Sequence, residues 1–285
     1  MRENKVSKIP FPHVYKFSSL NINSLSALAE GKAWFSTLAD FNDPFEGQFV
    51  IETPDFTKES EREKLFAHEA KKLPFNVMKE SALDLVRFRY NQSPADYERF
   101  FKDLVESTRN DFYSSYLNTG AYCVASDIPD TPMTQVSNAL MWSHYADGMR
   151  GFCIKFDANK FYSSLNSLNE DDFYWSPVHY EDKICVVDYY DFDNMAKNAT
   201  TRAIHTKHSG WEYEYECRFI AQRSGLYKYD HDAISCIYIG DKMPASHQRV
   251  LLDICEKNLP DVDIVGVRTH KNSYSIELGK YVKAL

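Results

Sequence analysis

The sequence predicts an α+β protein: a mixed, mainly antiparallel sheet of short strands carrying an inserted helical segment. Three observations lead there. Short runs rich in aromatic and β-branched residues recur along the chain, each bounded by turn residues. Residues 57–118 differ from both flanks, with no glycine, high charge and apolar residues at helical spacing. The 285 residues, 44% hydrophobic and 15% aromatic, suffice to bury a large core, and a single domain over 1–285 with the insertion at about 57–118 accounts for them.

His-Val-Tyr-Lys-Phe at 13–17 reads as a strand, stopped by Ser18 and Ser19. Residues 21–31 read as a short helix, with Asn21 and Ser24 at its start, Leu25 and Leu28 one turn apart, and Gly31 where a C-terminal cap belongs. A strand resumes at 33–37 and gives way to Asp40-Phe41-Asn42-Asp43-Pro44-Phe45-Glu46-Gly47. That set of turn residues is either an Asx-capped turn or a segment lining a site. Inside the insertion, Ser93-Pro94-Ala95-Asp96 starts a helix that Tyr97, Phe100, Phe101, Leu104 and Val105 continue at i, i+3, i+4 spacing. Its aromatics read as core.

Strand character returns at 120–126, ending on Ser126. Residues 135–146 read as a helix, 151–157 as a strand, 163–175 as a loop and 177–180 as a strand. The Asp- and Tyr-rich stretch 188–194 lacks the ligand spacing and central glycine of a calcium loop. Near the end, 233–239, 262–267 and 275–278 read as strands and 244–258 as an amphipathic helix.

Residues 211–219 alternate strictly. As a strand they put Trp211, Tyr213, Tyr215, Cys217 and Phe219 on one face and Glu212, Glu214, Glu216 and Arg218 on the other. Side chains two apart on a strand sit roughly 6.5–7 Å from each other, close enough for the carboxylates to raise one another's pKa and for Arg218 to lower that of Glu216. Such a face is either a solvated edge or the floor of an acidic site.

A formal net charge of −8 repels nucleic acid and anionic membrane, so general DNA binding is not expected. The six cysteines are widely spaced, without C-x-x-C, and read as reduced core thiols. Residues 1–6 carry no apolar leader, and no run of about 18 apolar residues occurs, so a soluble, cytoplasmic protein without a membrane partner is expected. No P-loop, G-x-G-x-x-G, G-x-S-x-G or H-E-x-x-H motif is present. His205 and His208 lack an accompanying carboxylate or thiol ligand, so no metal is expected there.

Several blocks together resemble a known family. Tyr15-Lys16-Phe17-Ser18-Ser19, Trp34-Phe35-Ser36, Phe41-Asn42-Asp43-Pro44-Phe45-Glu46, Met141-Trp142-Ser143-His144-Tyr145-Ala146, and Lys207 with Trp211, Tyr213, Glu214, Glu216 and Arg218 look like the ordered motifs of the bacterial family called domain of unknown function 2971. The family name implies no reaction. The order strand, short helix, glycine, strand, later strand ending in Ser126, and late Glu214-x-Glu216 is also similar to ADP-ribosyltransferases.

That second resemblance implies a fold, a substrate and roles. NAD is the substrate, the acceptor is a protein or nucleic acid, and the protein is a toxin or antiphage effector. Lys16, with Tyr15 beside it, takes the first-strand basic position; Ser126 is the supporting strand serine; Tyr145 or Trp142, with His144 in the same motif, forms the nicotinamide platform. Glu216 stabilises the ribose, Glu214 orients or activates the acceptor, and Arg218 holds Glu216 ionised while Glu212 faces solvent. Two other readings remain open: a hydrolase or nuclease-like effector with Asp43, Glu46, His144 and Glu214 around a divalent cation, and a non-catalytic nucleotide-binding protein.

Overall fold

In the computed structural model, which describes residues 8–73, 79–128, 134–194 and 197–281, alternation makes His13–Ser18 a strand covered on both faces. Val14 joins the core on one side of the sheet, while Tyr15 and Phe17 join a second apolar cluster. Asn21 caps the helix Ile22–Ala29, accepting from the Ser24 backbone while the Ser24 hydroxyl accepts from the Asn21 N–H. Gly31 follows at φ +60°, and a side chain there would meet the Tyr229 carbonyl at 2.9 Å. The turn therefore returns the chain directly into the strand Lys32–Thr37.

The chain divides into two compact units. The larger comprises Met1–Glu46, Leu117–Asp182 and Lys207–Leu285. Its strands run Gly225–Lys228, Lys32–Thr37, Gly120–Ser126, His13–Ser18, Phe152–Asp157, Ile234–Gly240, Asp263–Thr269 and Ile276–Tyr281 across one sheet, with Glu216–Ala221 added beside Gly120–Ser126 and Tyr174–Pro177 beside Glu216–Ala221. Among the described residues only Ile234–Gly240 and Asp263–Thr269 pair in parallel within it, joined through the helix Ala245–Asn258. The sheet is thus mixed and mainly antiparallel, and the class is α+β, as the sequence predicts.

One strand decides where the sheet opens. Glu216–Ala221 pairs along the whole of Gly120–Ala125. On the other edge, Ala125 and Ser126 pair with Tyr15 and Val14, whereas Gly120 and Ala121 pair with Thr37 and Ser36. Two strands share that edge and part between its ends. At the parting the Cys123 carbonyl accepts a hydrogen bond from Lys16 Nζ at 2.9 Å in place of a neighbouring strand's N–H.

The smaller unit comprises Gly47–Tyr116 and Lys183–Thr206. It contains the expected insertion as three helices, Glu59–Ala70, Lys79–Gln92 and Pro94–Leu117, and adds the parallel pair Phe49–Glu52 and Cys185–Asp188. Phe49 packs against Phe112 and Phe192, and Phe56 against Phe101, so these aromatics form its core. The insertion is wider than the expected 57–118 and recruits a second, later segment.

Two local expectations are corrected. The first part of the expected loop at 163–175 is helix: Ala158–Leu168, capped by Asp157, buries Ala158, Phe161, Tyr162 and Leu165 on one face. Its serines and asparagines obscured that spacing. The expected strand at 211–214 is a 3-10 turn, Ser209–Glu214, and Tyr215 adopts the left-handed conformation at φ 44° before a strand begins at Glu216. Among the described residues no helix is long and apolar enough to cross a membrane.

Candidate functional site

The break at Tyr215 governs the geometry of the acidic stretch. Its carbonyl accepts from both the Ser126 N–H at 2.8 Å and the Ser126 hydroxyl at 3.0 Å. Ser126 therefore pins the kink, and Glu214 and Glu216 reach the same ammonium from either side of it. Lys207 Nζ donates to Glu214 at 3.1 Å and to Glu216 at 2.6 Å. Glu216 also accepts from Arg218 Nε at 2.7 Å, and the Cys123 thiol is a further hydrogen-bond partner.

Arg218 continues the array. Its two terminal nitrogens donate to the two oxygens of Glu46 at 2.5 and 2.9 Å. Glu46 is delivered by a tight turn in which Asp43 Oδ1 accepts from the Phe45 N–H at 2.9 Å and the Asp43 carbonyl accepts from the Glu46 N–H at 3.1 Å. Glu214, Lys207, Glu216, Arg218 and Glu46 are all buried, and their charges alternate. Burial of such groups is tolerated only because each has an opposite neighbour.

Glu216 and Glu214 shift in opposite directions. Burial alone would raise the pKa of Glu216, but the Arg218 and Lys207 charges override it and hold the carboxyl well below its ordinary range. For Glu214 burial prevails over Lys207, and the nearby Glu216 charge adds to it, so its pKa is raised. The Tyr145 hydroxyl donates to Glu214. Burial, then the Glu214 carboxylate, raises the pKa of that phenol, so it keeps its proton. Lys207 stays charged because Glu216 and Glu214 outweigh its burial.

A cavity of about 290 Å³ opens at the parting of the strands. Tyr15, Lys16, Tyr145, Glu214 and Glu216 line it, together with Asp40, Phe41, Asn42, Cys123, Met141 and Lys207. Tyr15 donates to Asp127 at 2.8 Å, which orients its ring. Lys16 lies 4.6 Å from the centre of the Tyr122 ring. A second cavity of about 560 Å³ adjoins the first and shares Lys16, Phe17 and Tyr145 with it.

Four residues expected at the site do not line this cavity. Trp142 cannot serve as a platform: it is fully buried, its indole N–H donates to the Val136 carbonyl at 2.8 Å, and its ring meets Phe17 edge-on. His144 is exposed, with its ring 6.1 Å from that of Tyr213. Ser126 acts on the Tyr215 backbone, and Arg218 lies behind Glu216 at 0% exposure. Conversely, Cys123 carries no sequence signal, because strand pairing brings it in, and Asp40 belongs with Phe41 and Asn42. Phe41 and Asn42 lie in the turn that the sequence left open as a site-lining segment.

Among the described residues no group of three or more His, Cys, Asp or Glu side chains is placed to hold a metal ion. Of the four proposed for a cation, Glu46 faces Arg218 and Glu214 faces Lys207.

Residues 141–219 match the profile of a family described as "Protein of unknown function (DUF2971)". The matched stretch contains Tyr145, Lys207, Glu214, Glu216 and Arg218. No curated protein and no solved structure matches the chain.

Proposed function

We propose that this cavity binds NAD and cleaves its nicotinamide–ribose bond, as an ADP-ribosyltransferase-like enzyme or NAD glycohydrolase serving as a toxin or antiphage effector. One observation carries the reading: Lys16, Tyr145, Glu214 and Glu216, far apart in sequence, line one cavity. The order of its strands around the Glu214-x-Glu216 segment supports the same fold.

Departure of neutral nicotinamide leaves positive charge on the ribose. A carboxylate that stays ionised at any working pH stabilises that charge only as it develops, which is how a barrier is lowered. Glu216 meets this requirement: Lys207 and Arg218 hold it ionised at the cavity wall. Glu214, whose raised pKa moves it toward neutrality, takes the proton from the incoming acceptor or water. The Phe41 and Tyr145 rings flank nicotinamide, and Lys16 donates to the remainder of the dinucleotide, which extends into the second cavity.

Incubation of the protein with nicotinamide-labelled NAD, with and without protein and nucleic-acid acceptors, tests the reading. Release of nicotinamide that is lost in Glu216→Gln and in Glu214→Gln is expected. No release, or release insensitive to both substitutions in folded protein, overturns it.

A further inference from the structure

Tyr213 and His144 are the chain neighbours of Glu214 and Tyr145, two residues of the cavity wall that share a hydrogen bond. Their rings lie 6.1 Å apart and are inclined by 31°, and the Trp211 ring continues the row 6.3 Å from Tyr213 at 36°. One residue sets both sides of this row. Asn138 caps the helix Ala139–Tyr145, its Oδ1 accepting from the Leu140 N–H at 3.1 Å, and its Nδ2 donates to the Tyr213 carbonyl at 2.8 Å. The backbones that carry His144 and Tyr213 are therefore held together from a single side chain.

The row comes to the surface as it approaches His144: Trp211 and Tyr213 are half-buried, and His144 is exposed. A ring presented in this way offers its face to another flat π-system. The polar groups beside it are anionic. Glu212 is exposed, and Glu214 is near enough that its carboxylate, after burial, raises the pKa of the Tyr213 phenol. Lys207, 5.4 Å from the centre of the Trp211 ring, has its charge committed to Glu214 and Glu216. A ligand that suits these surroundings is flat and offers amine hydrogens, not phosphate oxygens.

We propose that Trp211, Tyr213 and His144 form the acceptor platform and that the acceptor is a nucleobase, stacked on His144 with its exocyclic amine directed at Glu214. The assignment rests on the NAD reading for its chemistry and names the acceptor that this reading leaves open. The amine nitrogen adds its lone pair to the ribose carbon while the bond from that carbon to nicotinamide breaks. The electron pair of the broken bond leaves with nicotinamide, and the proton displaced from the amine passes to Glu214. No further reactant is required.

The fluorescence of 2-aminopurine falls when it stacks on a ring, so the whole protein is titrated against 2-aminopurine riboside and, separately, a short single strand carrying one 2-aminopurine. Quenching is expected, with binding about tenfold weaker in His144→Ala; the melting temperature of that variant reports its fold. Quenching of the riboside identifies a free nucleoside as the source of the base, and quenching of the strand alone identifies a nucleic acid. Quenching of neither, or quenching unchanged in folded His144→Ala, overturns the proposal. With NAD added, ADP-ribose is expected on the base, found by mass. Nicotinamide release without that adduct overturns the acceptor assignment and leaves the NAD reading standing. Absence of release beside quenching that depends on His144 overturns the NAD reading and leaves the platform.

Discussion

Arg218 and Glu46, 172 residues apart in sequence, form a two-pronged buried ion pair, and the third guanidinium nitrogen, Nε, donates to Glu216. Removing one member of a buried ion pair leaves an uncompensated charge. Arg218→Met is therefore expected to cost about 3–5 kcal/mol of stability, read by urea unfolding. Adding Glu46→Gln removes one of the two stranded carboxylates, so the double variant should lose less than the two single losses combined. Strict additivity would show that the array is not an energetic unit.

Glu216 and Glu214 should give stability opposite dependences on pH. The pKa of Glu216 is lowered by folding, so its contribution is full above the ordinary carboxyl value of 4.5 and is lost as pH falls below it. Glu214 has a raised pKa, so its contribution is full below 4.5 and declines as pH rises through the folded value. Unfolding free energies measured across pH should show a flatter acid limb in Glu216→Gln and a flatter rise-side decline in Glu214→Gln. Identical slopes in both variants would refute the assignment.

Tyr145→Phe removes a hydrogen bond that favours the charged form of Glu214. Bonds to charged groups contribute about 1.5–3 kcal/mol. The acidic limb of NAD cleavage should move to higher pH in this variant, in a profile of rate against pH. A limb that stays in place would remove Glu214 from the proton transfer.

Trp142→Ala should cost about 3–5 kcal/mol of stability, the penalty of a large core truncation. Phe41 is half-buried, lines the cavity and lies 5.6 Å from the Arg218 guanidinium, so Phe41→Ala should cost less stability than Trp142→Ala while raising KM for NAD. The reverse pattern would restore Trp142 as the ligand platform.

Much of the sheet was legible because burial leaves a period-two imprint: Val14, Tyr15 and Phe17 announce a two-sided strand without any knowledge of its partners. The helices of the insertion were legible for the same reason at a different period. The 211–214 stretch shows where this fails. Its alternation is equally compatible with a tight turn, and what selects the turn is Ser126, a residue of another strand, gripping the Tyr215 carbonyl. The acidic pair could be singled out from sequence, and so could Arg218 as the charge that holds Glu216 ionised; the shares of Lys207 and Glu46 could not, because only the fold brings them to the array. Trp142 was misassigned because an aromatic in a polar helix reads alike whether it faces a cavity or the core.

The alternating array begins and ends on a carboxylate, with Glu214 at the cavity and Glu46 at the far end. Three anions against two cations leave one negative charge over, and simple parity forbids its cancellation from within. The Glu46 end is clamped by both prongs of Arg218, so the surplus is discharged where a proton can arrive, at Glu214. If the cavity takes NAD as proposed, a bare Glu214 would favour the cationic nicotinamide ring and a protonated Glu214 would not, so the array would loosen its hold by one unit of charge as the acceptor gives up its proton.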